Sequence, residues 1–159
     1  TGCEIVRVAV PDMDAAGAVR AIRDQIAIPL IADIHFDWRL AVAAMENGAQ
    51  GIRINPGNLG GRDRLARVVD AAKTHQVPIR VGVNSGSIEK DLLKEHGYPT
   101  PENPAALIES ALRNVRMVEE SGYDQLKISI KSSDVLTTIS GYRLLARQTD
   151  YPLHIGVTE

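Results

Sequence analysis

Cysteine is almost absent from this sequence, which has only Cys3 among its 159 residues. One cysteine cannot form an internal disulfide, and it cannot alone hold an iron–sulfur cluster, which takes about three or four thiolate ligands. Long apolar runs are missing as well. No run approaches the roughly 18 residues of a membrane-spanning helix, and the first residues lack the charged and apolar regions of a signal peptide. We therefore expect a cytoplasmic protein with no membrane association.

An excess of positive charge is also missing. The chain has 18 Lys and Arg residues against 20 Asp and Glu residues, so its formal net charge is −2. Nucleic-acid-binding domains are usually basic, so no nucleic-acid partner is expected. Any recognition of an anion must come from cations concentrated in one place. The 44% of residues that are hydrophobic are enough to build a core around such a site.

What the sequence does contain is a repeated alternation of strand-like and helix-like segments. Short β-rich runs are separated by stretches with helical periodicity, and Asp12, Asp37 and Asp134 mark the starts of three of the helices. This alternation predicts a parallel sheet whose strands are joined by helices. The six runs are "IVRVAVP" from Ile5, "PLIADIH" from Pro29, "GIRINPG" from Gly51, "PIRVGVN" from Pro78, "QLKISIK" from Gln125 and "PLHIGVT" from Pro152.

The two faces of these runs differ in polarity. Their second, fourth and sixth positions are almost wholly apolar, whereas their third, fifth and seventh positions are mostly polar, small or charged. A doubly wound sheet is covered by helices on both faces, so both faces should be apolar. In a (β/α)8 barrel only the outer face meets helices, and the inner face can carry a site. We therefore predict an α/β fold of the TIM-barrel type. Residues 1–159 would be part of one barrel domain, an incomplete segment of about six strands that lacks the first and the last strand.

Cationic side chains recur at the third, inward-facing position of the runs. A single buried cation is commonly explained by a carboxylate partner or by a path to water. Cations about 8 Å apart at an effective dielectric constant of about 20 repel by roughly 2 kcal/mol per pair, and few carboxylates could offset them. The carboxylates that could offset this repulsion are Asp33 and, just beyond the last run, Glu159. A bound polyanion would balance the charge, and guanidinium groups suit phosphate. The recurring residues are Arg7, Arg53, Arg80, Lys127 and His154.

Asp33 and His35 lie on the same face of one run, two residues apart. They could orient a substrate hydroxyl and a phosphate, or transfer protons, and an ordinary structural Asp–His hydrogen bond would use the same pair. Two such groups are too few to indicate a metal site, so we expect none in this chain. The interval from Arg80 to Lys127 is about twenty residues longer than the other intervals, and this insert could be a lid or a surface decoration.

Seven stretches cover nearly the whole chain: "VRVAVPDMDAA", "PLIADIHFDWRLA", "GIRINPGN", "PIRVGVNSGSIEKDL", "LKISIKSSD", "YRLLA" and "PLHIGVTE". In this order they resemble the 4-hydroxy-3-methylbut-2-enyl diphosphate synthase family of the non-mevalonate isoprenoid pathway. The resemblance implies an eight-stranded barrel and a second, C-terminal domain that carries a [4Fe–4S] cluster. It also implies an oxidoreductase that opens and reductively dehydrates 2-C-methyl-D-erythritol 2,4-cyclodiphosphate with two electrons from ferredoxin or flavodoxin.

The same resemblance implies roles for individual residues. The positions that match the family's diphosphate-binding residues are Arg7, His35, Arg53, Arg80, Asn84 and Lys127. The positions near the substrate's hydroxyl and carbon skeleton, which we expect to be catalytic, are Asp33 and Glu159. Ser129 and His154 join the substrate-binding set on the strand pattern alone.

The cluster ligands implied by the resemblance are not in this chain, because Cys3 does not match one of them. Family members are homodimers in which one subunit's cluster domain covers the barrel of the other subunit. The cluster domain would be absent here, so we expect this chain alone to bind substrate without reducing it.

The sequence leaves two other functions open. A dihydropteroate-synthase-like transferase also binds a diphosphate leaving group with arginine, asparagine and lysine. It needs a pterin pocket with suitably placed acidic groups, and Asp33 alone is weak support for one. A non-catalytic anion-binding fragment would use the same cations without turnover. Cysteines in a C-x-x-C pattern beyond Glu159 would decide in favour of the iron–sulfur enzyme.

Overall fold

Strands and helices alternate along the chain in the computed structural model, which describes residues 2–156. The strands are β1 (Val6–Ala9), β2 (Leu30–Asp33), β3 (Gly51–Ile54), β4 (Ile79–Asn84) and β5 (Leu126–Lys131). The helices are α1 (Met13–Arg23), α2 (Trp38–Glu46), α3 (Arg62–His75), α4 (Lys90–His96), α5 (Ala105–Glu120) and α6 (Val135–Leu145). The strands are hydrogen-bonded in chain order, β1-β2-β3-β4-β5. Within residues 2–156, no helix combines the length and the apolar character that crossing a bilayer requires.

The first of two compact units contains the residues up to Arg80 together with Met117–Gln125. In this unit β1, β2 and β3 are parallel neighbours, and α2 packs against α3. The apolar positions of β2 and β3 are fully buried, as the alternation predicts. They are Leu30, Ala32, Ile52 and Ile54.

Aspartates begin the first two helices of this unit. The side chain of Asp12 accepts from the Ala15 N–H at 2.8 Å, and that of Asp37 accepts from the Arg39 N–H at 2.9 Å. Each carboxylate satisfies one of the N–H groups that the first turn of a helix leaves without a partner. The predicted starts of α1 and α2 are therefore confirmed.

The second compact unit contains Val81–Arg116 and the residues from Leu126 onward. Its core includes Val81, Val83, Ile128 and Ile130, all without exposed surface. Helix α6 packs on β5 and approaches it closely at Gly141, where an added Cβ would lie 2.9 Å from the Ile130 Cδ1 atom.

The start of α6 at Asp134 is confirmed in the same unit, since its carboxylate accepts from the Thr137 N–H at 2.7 Å. The Thr137 hydroxyl also donates to Asp134. Together these bonds hold the pKa of Asp134 below its ordinary value.

The register of the strands differs from a simple alignment by position. Arg7 on β1 lies level with Ile31 on β2, but Ile31 lies level with Gly51 on β3, so β3 is shifted by two residues. This shift brings Arg53 level with Asp33. Staggered registers are required when strands tilt around a barrel axis. The recurring cations therefore do not all lie at one height, and Arg53 has a carboxylate as its cross-strand neighbour.

The run from Pro152 forms a single bridge within the described residues instead of a sixth strand. Leu153 pairs there with Ile128 in a parallel arrangement. One step further, the Tyr142 hydroxyl accepts from the Ile130 N–H at 3.1 Å and donates to the His154 carbonyl oxygen. A side chain thus occupies the place of the next ladder bond. Glu159, which we predicted to be catalytic, lies outside the described residues.

Candidate anion-binding site

Asp33 lies between two arginines at the end of β2 in the first unit. Its Oδ2 atom is 3.3 Å from an Arg7 guanidinium nitrogen, and its Oδ1 atom is 3.3 Å from an Arg53 guanidinium nitrogen. Asp33 and Arg53 are each 8% exposed, whereas the Arg7 side chain is 42% exposed. One carboxylate is therefore shared by a buried and a partly exposed guanidinium group.

The strand register builds this cluster of Arg7, Asp33 and Arg53. Asp33 and Arg53 are direct cross-strand neighbours, and Arg7 reaches Asp33 diagonally from a position level with Ile31. The backbone hydrogen bonds between the strands continue past the cluster toward the carboxyl ends of the strands. The Val10 N–H donates to the Asp33 carbonyl at 3.1 Å, and the Ile34 N–H donates to the Arg53 carbonyl at 2.9 Å. The carbonyl groups of Asp33 and Arg53 are therefore both hydrogen-bonded to the neighbouring segment.

The cluster has a net positive charge, because two guanidinium groups share one carboxylate. Arg80, at the start of β4 in the same unit, is a further arginine with 8% exposure. Guanidinium groups bind phosphate oxygens in a bidentate manner. The partly exposed Arg7 gives the cluster an open side on which such an anion could bind.

His35 and Phe36 come just after Asp33 and the buried Ile34, and both are exposed, Phe36 to 69%. Their ring centroids lie 6.1 Å apart at an interplanar angle of 39°. The recorded partners of the Asp33 carboxylate are the two arginines, and His35 is exposed to solvent.

Polar turns follow the strands of both units. In the first unit the Asn55 side chain accepts from the Gly57 N–H at 3.2 Å and begins the 3-10 turn Pro56–Asn58. In the loop after β2, the Arg39 guanidinium donates to Asp37 at 2.7–3.1 Å and lowers the pKa of Asp37. These contacts hold the loops through which the strands of the cluster leave the sheet.

The remaining predicted site residues belong to the second unit. Asn84 ends β4, where its N–H donates to the Ser87 hydroxyl at 3.2 Å and its carbonyl accepts from that hydroxyl at 3.0 Å. On β5, Lys127 is exposed and Ser129 is 2% exposed. His154 is exposed, and its N–H donates to the Ile128 carbonyl at 2.8 Å.

Tyr142 is a residue that the sequence analysis missed. Its hydroxyl group links β5 to His154, as described above, and the residue is only 7% exposed. Buried tyrosines usually have a hydrogen-bond partner for the hydroxyl group, so the tyrosine in "YRLLA" was a signal that could have been followed. Periodicity alone indicates only that Tyr142 lies on the buried face of α6.

A family model decides the identity of the chain. The GcpE TIM-barrel domain matches residues 1–159. The chain belongs to this family. The predicted resemblance and the predicted TIM-type barrel are therefore both confirmed.

Curated relatives of this GcpE barrel chain have closely similar sequences. Proteins from Desulfotalea psychrophila, Geobacter sulfurreducens and Lawsonia intracellularis are 70%, 60% and 57% identical to it, each over 99% of this chain. All are named 4-hydroxy-3-methylbut-2-en-1-yl diphosphate synthase (flavodoxin). The chain spans 43% to 44% of the length of these relatives.

Solved structures with the same fold as the GcpE barrel chain include dihydropteroate synthases. The enzyme from Yersinia pestis matches with a TM-score of 0.61 and 13% identity, over 96% of this chain and 59% of its own. The enzyme from Vibrio fischeri matches with a TM-score of 0.59 and 16% identity, also over 96% of this chain and 59% of its own. At such low identity the likeness shows the fold alone and does not support a pterin-using transferase.

Proposed function

We propose that this chain is the substrate-binding barrel of an enzyme that converts 2-C-methyl-D-erythritol 2,4-cyclodiphosphate to 4-hydroxy-3-methylbut-2-enyl diphosphate. Membership of the GcpE family and the names of relatives up to 70% identical support this proposal. The observation that carries it is the cluster of Arg7, Asp33 and Arg53, in which the charge of one carboxylate is exceeded by that of two guanidinium groups. The two guanidinium groups offer bidentate donors that suit the oxygens of a diphosphate.

The proposed roles follow from charge and exposure. Arg53 and Arg7 bind the diphosphate, while Asp33 keeps them oriented and lies next to the substrate's hydroxyl group. Burial strengthens the interaction of Arg53 with a phosphate oxygen, because the effective dielectric constant around it is lower than in water. The other proposed substrate-binding residues are His35, Arg80, Asn84, Lys127, Ser129 and His154, and Glu159 is the second proposed catalytic residue.

The residues of this chain do not fit an iron–sulfur cluster. The sequence has only Cys3, an exposed residue whose thiol donates to the Ile5 carbonyl at 3.0 Å. Among residues 2–156, no group of three or more His, Cys, Asp and Glu side chains could hold a metal ion. We therefore propose that a [4Fe–4S] cluster is bound by cysteines in the part of the relatives' length that this chain does not span.

The proposed partners follow from the same relatives. Their names include flavodoxin, which we propose as the electron donor, with ferredoxin as the alternative donor. We further propose that the full-length protein is a cytoplasmic homodimer. Residues 1–159 would then be the barrel part of each subunit.

Calorimetric titration of the full-length protein with the cyclodiphosphate tests the proposed function. Replacing Arg53 or Arg80 by methionine keeps most of the side-chain volume and removes a charged donor. We expect each substitution to weaken binding by about 1.5–3 kcal/mol, the contribution of a hydrogen bond to a charged group.

The matched control is Arg113→Met. Arg113 forms a 2.7 Å ion pair with Asp91 on the surface of the second unit, so its loss should leave the affinity unchanged. Wild-type affinity in both Arg53→Met and Arg80→Met would overturn the diphosphate-binding role of the arginines. A wild-type protein that does not bind the cyclodiphosphate would overturn the proposed function itself.

A further inference from the structure

The parallel ladder between β5 and residues 152–154 is regular for two hydrogen bonds. The Ile128 N–H donates to the Pro152 carbonyl at 3.0 Å, and the His154 N–H donates to the Ile128 carbonyl at 2.8 Å. In a parallel ladder the bonds are evenly spaced, and residues two apart on one strand bond to the same neighbour. The next bond should therefore join the Ile130 N–H directly to the His154 carbonyl.

A tyrosine hydroxyl group occupies the place of this bond. The Ile130 N–H donates to the Tyr142 hydroxyl oxygen at 3.1 Å, and the Tyr142 hydroxyl group donates to the His154 carbonyl at 2.5 Å. The side chain comes from α6 and is 7% exposed, so it reaches the ladder from the helix-covered side. Both backbone groups are satisfied, but they are joined through an inserted oxygen atom and not directly.

The insertion holds the two segments apart at one point. In a direct bond, the backbone nitrogen and the carbonyl oxygen lie about 2.9 Å apart. A bridging hydroxyl group puts two hydrogen bonds in series between them, so the nitrogen and the carbonyl oxygen lie further apart. The insertion follows Ser129 and lies at His154, and both are proposed substrate-binding residues. The inserted hydroxyl group lies beyond the two regular bonds in the direction of the carboxyl end of β5, and parallel strands carry their sites toward their carboxyl ends.

We propose that Tyr142 is a positioning residue that sets the separation between β5 and His154, and thereby the distance of His154 from Ser129 and Lys127. The inference rests on the proposed function, because it assigns these residues to diphosphate binding. Tyr142 does not touch the substrate in this proposal. Its hydroxyl group acts only through the backbone of Ile130 and His154.

Tyr142→Phe in the full-length protein tests the proposal, since it removes the hydroxyl group and keeps the ring. A crystal structure of the variant should show the Ile130 nitrogen and the His154 carbonyl oxygen in direct contact at about 2.9 Å. Calorimetry with the cyclodiphosphate should show a rise in Kd on the order of tenfold, because site geometry is sensitive to shifts of about 1 Å.

Tyr123→Phe is the matched control. Tyr123 is 8% exposed, and its hydroxyl group donates to the Val77 carbonyl at 2.8 Å in the first unit. Both variants lose a buried hydroxyl group, so their losses of thermal stability should be similar. Only Tyr142→Phe should change Kd.

Three results would overturn the inference. If the strands stay apart in Tyr142→Phe, the hydroxyl group does not set their separation. If the direct bond forms and Kd equals that of the wild type, the separation does not matter for binding. If the wild-type protein fails to bind the cyclodiphosphate, the proposed function fails and the inference fails with it, and this result is recognised without either variant.

Discussion

Each oxygen of the Asp33 carboxylate lies 3.3 Å from a guanidinium nitrogen: Oδ1 accepts a hydrogen bond from Arg53, and Oδ2 forms an ion pair with Arg7. Replacing Asp33 by asparagine leaves two cations facing a neutral amide. We expect the free energy of unfolding of the full-length protein to fall by about 2 kcal/mol. This is less than the roughly 3–5 kcal/mol for breaking a fully buried pair, because Arg7 is partly exposed and the amide oxygen still accepts a hydrogen bond. Denaturant titration measures the change.

The same variant separates a catalytic Asp33 from a structural one. A neutral side chain makes the cluster more cationic, so the affinity for the cyclodiphosphate should change less than the turnover number. Asp37→Asn is the control, because its ion pair with Arg39 lies at the exposed start of α2 and should contribute little to stability. Equal losses of affinity and turnover in Asp33→Asn would show that Asp33 has only a structural role.

Site residues could be predicted from the sequence where a charged side chain stands at a position that the strand pattern predicts to be buried. Arg53 and Arg80 stand between apolar neighbours in strand-like runs, and both are buried in the structure. Tyr142 could not be predicted in the same way. A tyrosine on the apolar face of a helix is compatible with ordinary packing, and only the position of its hydroxyl group within a ladder shows another role.

At the scale of elements, the insert between β4 and α5 forms the helix α4 and is attached to α5. Glu89 accepts from the Ser110 hydroxyl at 2.6 Å and from the Asn114 amide at 3.3 Å, and both partners are almost fully buried. His96 lies 2.9 Å from Glu109 as a further contact between the insert and α5. Such a docked segment resembles a fixed surface element more than a mobile lid.

Glu89→Ala tests how firmly the insert is attached. The substitution removes the acceptor of the buried Ser110 hydroxyl group, which should cost about 1–3 kcal/mol and loosen residues 85–104. Limited proteolysis should then cut this segment faster than in the wild type. Asp91→Ala breaks the exposed Asp91–Arg113 pair between α4 and α5 and should leave the cleavage rate nearly unchanged, because exposed pairs contribute little. Wild-type proteolysis of Glu89→Ala would show that the insert is held by other contacts.

The existence of the elements was predictable, but their register was not. Period-two alternation located β1 to β5, and capping aspartates located the starts of α1, α2 and α6. The two-residue shift between β2 and β3 depends on the tilt of neighbouring strands, which one strand's sequence does not encode. This shift makes Arg53 and Asp33 neighbours, so the contact at the centre of the candidate site could only come from the structure.

At the scale of the whole molecule, net charge says little about the site. The chain has a net charge of −2, yet the cluster of Arg7, Asp33 and Arg53 is positive. The GcpE TIM-barrel family model matches residues 1–159, and the chain spans 43% of the length of its relative from Desulfotalea psychrophila. That residues 1–159 form part of a single barrel domain stays a prediction.

Cys3→Ser tests the proposal that cluster ligands lie outside this chain. The thiol of Cys3 is exposed and donates to the Ile5 carbonyl at 3.0 Å, so a hydroxyl group can replace it without loss of a metal ligand. The anaerobically purified full-length variant should therefore keep the iron and sulfide content, the visible absorption and the turnover of the wild type. Replacing a cysteine outside residues 1–159 in a C-x-x-C pattern should remove iron in the same assay. Loss of iron in Cys3→Ser would make Cys3 a ligand and would contradict the proposed location of the cluster, whereas a wild-type protein without iron would contradict the proposed oxidoreductase.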